Sequence, residues 1–115
     1  MRDARSDAQR GSVAAELALA LPAVALTLLL GAGALGAAAQ LVSVQDAVAD
    51  AARLLGRGES DAAAHAAVAA SVSGARVTSH ARGDFICVTA RIDARIGRLI
   101  SIPLSATSCA LSGGL

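Results

Sequence analysis

The chain contains one apolar run of 23 residues, Leu17–Ala39, in which no side chain is charged. As an α-helix this run would be about 35 Å long at about 1.5 Å per residue, which exceeds the thickness of a bilayer's hydrocarbon core, about 30 Å. Three arginines lie in the first ten residues, whereas the first arginines beyond the run are Arg53 and Arg57. This asymmetry favours a single-pass helix with its N-terminus in the cytoplasm and the C-terminal part outside.

A helical pattern continues beyond this run. Apolar side chains recur at alternating steps of three and four, at Leu41, Val44, Val48, Ala51 and Leu55. Charged side chains fall on the opposite side of the same helix, at Asp46, Asp50, Arg53 and Arg57. The pattern predicts one long helix from about Val13 to about Leu55, in which Asp50 and Arg53 can pair at i,i+3. The stretch GRGES at 56–60 ends it.

The C-terminal part predicts a short helix followed by three strands. Ser60 is a suitable N-cap for an Ala-rich helix of about twelve residues that ends near Gly74. Apolar and polar side chains then alternate with a period of two, as in strands, in the stretches ARVTSH at 75–80, FICVTARIDA at 85–94 and LISIPLSATSCA at 99–110. Turns are predicted at 81–84 and 95–98. The predicted fold class is therefore α+β, with a long N-terminal transmembrane helix, a short second helix and a small three-stranded antiparallel sheet.

The two cysteines, Cys87 and Cys109, lie on the last two predicted strands. A register that pairs them centres the turn on Arg98 and collects Val88, Ala90, Ile92 and Ala94 on one mostly apolar face. The same register puts Pro103 at a position that needs no N–H toward the partner strand, provided that the third strand is an edge. We therefore predict a Cys87–Cys109 disulfide, which suits an exported domain of this size.

The composition and the remaining motifs argue against several functions. A net charge of +1 does not favour nucleic-acid binding. GAGALG at 31–36 matches a dinucleotide-binding pattern, but the chain has no room for the βαβ units of such a domain. It instead spaces small residues four apart, Ala32 with Gly36 and Gly33 with Ala37, which permits close helix packing in lipid. No residue set predicts catalysis, a cofactor or a metal site, and the two histidines are read as surface or turn residues.

The stretch RGSVAAELALALP, residues 10–22, places a glycine five residues before a glutamate at the start of the apolar run. It resembles the processing site of type IV prepilins. With the length and topology of the chain, it most resembles the TadE-like minor pilins, or pseudopilins, of tight-adherence (Flp-type) pilus systems. The specific resemblance covers roughly residues 10–40. The family often has Phe or Tyr after the glutamate, where this chain has Leu17.

The resemblance implies that a prepilin peptidase cuts between Gly11 and Ser12. The chain then divides into a leader of residues 1–11, a transmembrane and filament helix of residues 12–56, and a small outer domain of residues 57–115. The implied partners are the peptidase, other pilin or pseudopilin subunits, the pilus assembly platform and membrane lipid. The implied location is the cytoplasmic (inner) membrane, with or without incorporation into an extracellular pilus, and the implied role is structural.

Glu16 has a physical role that is compatible with this resemblance. Cleavage creates a new amine on Ser12 near the membrane face, and the Glu16 carboxylate of a neighbouring subunit would neutralise it and set the axial register. In the simpler interpretation, Glu16 marks the cytoplasmic edge of the span. Two other functions also stay open. One is an unprocessed single-pass binding module, and the other is a secreted domain released after Ala39, although signal-peptide apolar segments are shorter than this one.

Overall fold

The protein consists of two helices followed by three strands. The structure, a computed structural model, describes residues 4–96 and 99–113, with the backbone alone for residues 4–7. The elements are α1 Ala4–Gly56, α2 Asp61–Ser71, β1 Arg76–Arg82, β2 Phe85–Ile96 and β3 Ile100–Leu111. The strands form one antiparallel sheet in the order β1-β2-β3. The predicted α+β class is confirmed, with its long N-terminal apolar helix, short second helix and three-stranded sheet.

Helix α1 begins at Ala4, nine residues before the predicted start at about Val13. The polar leader carries no apolar periodicity, but most of its residues are adequate helix formers. Extending an existing helix is far easier than nucleating a new one. Gly11 costs about 1 kcal/mol in a helix interior, which does not stop this extension. Pro22 also lies inside α1, where its ring removes one backbone hydrogen bond without ending the helix.

The C-terminal half of α1 carries the helical part of the core. The predicted stripe is confirmed, since Leu41 is half-buried and Val44, Val48, Ala51 and Leu55 are buried. The charged side is exposed, as predicted. There the Arg53 guanidinium donates a 3.1 Å hydrogen bond to the Asp50 carboxylate. Both of these side chains are about two thirds exposed, at 67% and 68%, so the pair contributes little to stability.

Helix α2 packs against α1 and begins at the predicted cap. The Ser60 hydroxyl accepts a 3.1 Å hydrogen bond from the backbone N–H of Ala63. Val68 is buried in the core together with Ala64. The helix ends at Ser71, slightly earlier than predicted, because the next residue adopts an extended backbone.

The sheet has the predicted register between β2 and β3. Cys87 pairs with Cys109, and the pairing continues without a bulge to Ile96 opposite Ile100. The predicted turn centre, Arg98, lies outside the described residues. β3 is an edge strand, as predicted from Pro103, which has no N–H to donate to a further strand. The other hairpin joins β1 to β2 through two residues, of which Gly83 has a φ of +61° and Asp84 a negative φ, as in a type II′ turn.

One face of the sheet is apolar and lies on the helices. Its buried side chains come from alternate positions of β2, at Val88, Ala90, Ile92 and Ala94, with Ala106 of β3 also buried. The opposite face is polar and largely exposed apart from the buried Cys87. There the hydroxyls of Thr89 and Thr107 lie 2.8 Å apart in a cross-strand hydrogen bond. This alternation fixes the register, because a slip of one residue would exchange the two faces.

The sheet extends a long way along α1. At one end Gly113 donates a 2.9 Å hydrogen bond to the Gly56 carbonyl, and at the other end Ile96 contacts Gly33. The 23 helix residues between these contacts span about 35 Å. The β2 strand, Phe85–Ile96, spans about 36 Å at about 3.3 Å per residue. The two lengths agree, so the closed end of the β2–β3 hairpin lies beside the apolar half of the helix.

Candidate processing site and membrane segment

The predicted processing residues lie within the first turns of α1. Gly11, Ser12 and Glu16 are all exposed, and a Cβ added to Gly11 would have no heavy atom within 4 Å. Ser12 and Glu16 are four residues apart, so they lie on one face of the helix. The backbone remains helical through the Gly11–Ser12 bond, and nothing in it marks residue 11 as a boundary. Cleavage at this bond would therefore require the first turns of the helix to open.

Among the described residues, Glu16 has no partner that explains its position. In the part of the chain that the structure describes, its carboxylate takes part in no side-chain hydrogen bond or ion pair. It lies directly before Leu17, the first residue of the apolar run. A carboxylate at the edge of an apolar segment is costly unless it is paired or reaches water. Its exposure leaves it available to a partner outside this chain.

Over most of its length, the apolar run is covered by none of the residues that the structure describes. The segment Ala8–Gly56 of α1 is long and apolar enough to cross a membrane, and its most apolar window has no buried residue. Its large side chains are at least half exposed at Leu17, Leu19, Leu21, Val24, Leu26, Leu28, Leu29, Leu30 and Leu35. A soluble monomer rarely exposes so continuous an apolar surface. Lipid or neighbouring subunits are the environments that would cover it.

The small residues of the run divide between two faces. Ala32 and Gly36 are exposed, and a Cβ on Gly36 would meet nothing within 4 Å. Gly33 and Ala37 are half-buried, and a Cβ on Gly33 would lie 2.5 Å from Cγ2 of Ile96. The space at Gly33 is thus filled by the chain's own hairpin. A role for Ala32 and Gly36 in helix packing remains a prediction.

The disulfide prediction is confirmed. Cys87 and Cys109 are joined, with their Cα atoms 4.0 Å apart, and neither cysteine is free. So short a Cα separation is typical of a non-hydrogen-bonded antiparallel pair, as the register predicted. Cys87 is buried and Cys109 is exposed, so the disulfide fastens the open end of the β2–β3 hairpin from its outer face.

Within the described residues, the histidines and acidic side chains form no visible reaction centre. His65 is exposed on α2, and His80 is exposed on β1 opposite Cys87. Among residues 4–96 and 99–113, no three His, Cys, Asp or Glu side chains lie close enough to hold a metal ion. The absence of catalytic and metal sites stays a prediction.

Sequence reasoning missed one surface, at the closed end of the β2–β3 hairpin. Leu99 is 97% exposed, Ile100 is 50% exposed, and Ile96 lies beside them against α1. The apolar residues of the stretch RIGRLI, 95–100, were the available signal, but the sequence pattern assigns RIGR to a turn and LI to the start of the third strand. Their position beside the apolar helix depends on the length of the strands and was visible only in the structure.

Comparisons of the chain with protein-family models, with curated proteins and with solved structures gave no match.

Proposed function

We propose that this chain is a TadE-like minor pilin or pseudopilin that acts in the assembly or priming of a tight-adherence (Flp-type) pilus. The observation that carries the proposal is the placement of Gly11 five residues before Glu16, both exposed, at the start of a helix whose apolar surface is uncovered. A prepilin peptidase cuts after Gly11 in this proposal. The mature chain is anchored in the cytoplasmic membrane with its sheet domain outside, and it performs no chemistry itself.

The exposed carboxylate has a specific task in this scheme. The new N-terminal amine of Ser12 in one subunit pairs with Glu16 of a neighbour, and the pair sets the axial offset between packed helices. Removing one member of a buried ion pair leaves the other unpaired, which costs roughly 3–5 kcal/mol. The partners in this scheme are other pilin subunits and the assembly platform, and the disulfide-closed domain lies along the C-terminal half of α1.

The test of this task is Glu16→Ala in cells that carry the pilus system, with Glu59→Ala as the matched control. Glu59 is also exposed, but it lies in the loop between α1 and α2. We expect Glu16→Ala to stay in the membrane fraction and to be depleted from sheared pili, whereas Glu59→Ala behaves as the wild type. Entry of Glu16→Ala into pili at the normal level would show that Glu16 has no register role.

A second candidate is an unprocessed single-pass module that binds an envelope partner. The observation in its favour is the continuous helix across the Gly11–Ser12 bond, since peptidases act on opened backbone. Gly11→Leu separates the two proposals. If the wild-type chain is shortened and the Gly11→Leu chain is not, the result supports the pilin. If the wild-type and Gly11→Leu chains both stay full length, the result supports the unprocessed module. A secreted chain that begins at Gln40 would support release after Ala39.

A further inference from the structure

We propose that the closed end of the β2–β3 hairpin inserts its apolar side chains into the outer face of the membrane that α1 crosses. The side chains concerned are Ile96, Leu99 and Ile100, which we call the hairpin tip. The inference rests on the proposed membrane-spanning role of α1 and adds a second membrane contact. Its ligand is the acyl-chain and headgroup region of a lipid bilayer.

The depth of the hairpin tip follows from its contact with α1. Ile96 contacts Gly33, which is 16 residues after Leu17, the start of the apolar run. Sixteen residues of helix correspond to about 24 Å, whereas the hydrocarbon core is about 30 Å thick. If hydrocarbon begins at Leu17, its outer boundary lies about four residues beyond Gly33, near Ala37. A tilted helix moves this boundary further along α1, which increases the overlap with the tip.

The chemistry of the hairpin tip suits this position. Leu99 is almost wholly exposed and Ile100 is half exposed. A single exposed leucine needs no explanation. Here, however, the exposed apolar side chains adjoin the one segment of the chain that is apolar on all sides. The exposed Arg95 flanks them and can reach the headgroup region, as arginine side chains commonly do at membrane surfaces.

The sheet itself limits how deep the hairpin tip can go. The backbone groups along the outer edges of β1 and β3 have no strand partner, because both are edge strands. Unpaired backbone groups are not tolerated in hydrocarbon, where no water can satisfy them. Insertion is therefore confined to the hairpin tip. The far end of β3, at Leu111, is about 36 Å further along the strand and stays in water.

The absence of tryptophan and tyrosine from the chain allows a direct test. We would prepare three full-length variants, Leu99→Trp at the hairpin tip, Leu28→Trp in the middle of the run and Leu111→Trp at the far end of β3. All three positions are exposed, so the substitutions disturb no packing. Each variant is placed at low protein density in phosphatidylcholine vesicles with bromine near the middle of the acyl chains in both leaflets. Disulfide formation in each variant verifies its fold.

The expected result is strong loss of tryptophan emission for Leu28→Trp and Leu99→Trp and little loss for Leu111→Trp. Quenching of Leu28→Trp with none for Leu99→Trp would overturn this inference and leave the membrane-spanning helix intact. A blue-shifted but unquenched Leu99→Trp would also overturn it, because protein then covers the tip. No quenching of Leu28→Trp would overturn the membrane-spanning role and the inference together. Equal quenching of the three tryptophan variants would contradict the inference that only the hairpin tip of the sheet domain enters the membrane.

Discussion

Removal of the Cys87–Cys109 disulfide should destabilise the sheet domain by about 3 kcal/mol. The cysteines are 22 residues apart, and a cross-link that closes a loop of this size reduces the entropy of the unfolded chain by an amount worth about 3 kcal/mol at 25 °C. The variant is the double substitution Cys87→Ala and Cys109→Ala. Alanine is chosen because Cys87 is only 1% exposed, so that serine would bury a hydroxyl.

Hydrogen exchange of the full-length chain in lipid vesicles measures this change directly. Amides of β2 exchange through opening of the sheet, and 3 kcal/mol corresponds to exchange that is roughly 140-fold faster. Amides around Leu28 in α1 serve as an internal control and should not change. Exchange of the β2 amides within about twofold of the wild type would refute the reasoning, since that is the size of ordinary uncertainty in such comparisons.

A second control separates the cross-link from the packing of the sulfur atoms. Wild-type protein treated with a thiol reductant loses the disulfide but keeps both side chains. It should exchange about as fast as the double variant, because the entropic effect of the cross-link is the same in both cases. A reduced wild type that is as protected as the oxidised protein would show that the loss in the variant comes from packing around Cys87.

Two further substitutions test how the sheet domain is attached to α1, with the same exchange measurement. Val48→Ala removes two methyl groups from a fully buried site and should destabilise the domain by about 2 kcal/mol. Its control, Val42→Ala, lies at an exposed site and should change the stability of the domain little. Equal effects of the two substitutions would contradict the assigned core. Gly33→Leu places a side chain where Ile96 already lies and should increase exchange near the closed end of the hairpin, whereas Gly36→Leu meets open space. Unchanged exchange in the Gly33 variant would rule out this contact.

The sheet register could be predicted because it is encoded locally. Alternate residues of β2 are small or apolar, so the buried face and its polar counterpart can be read from the sequence and then matched to those of β3. The pair Cys87 and Cys109 and the edge position of Pro103 gave independent checks on the same register. The stripe on the second half of α1 was predictable for a similar reason, since its period is that of a helix packed on one side.

Other features could not be read from local patterns. The start of α1 at Ala4 depends on helix propagation into a polar segment that has no apolar period. The contact between Ile96 and Gly33 depends on how far two long strands extend beside a helix, which no short stretch of sequence reports. As a result, the sequence predicts for Gly33 only close helix packing in lipid, whereas the structure places the chain's own hairpin against it.

The most direct test of the proposed function is the N-terminus of the chain in its native membrane. Intact-mass measurement of the membrane and sheared-pilus fractions, with N-terminal sequencing of the same material, identifies the first residue. The pilin proposal predicts a chain of residues 12–115 that begins at Ser12, with Glu16 as its fifth residue. A chain that still begins at Met1 in both fractions, or one that begins at Gln40, would contradict it.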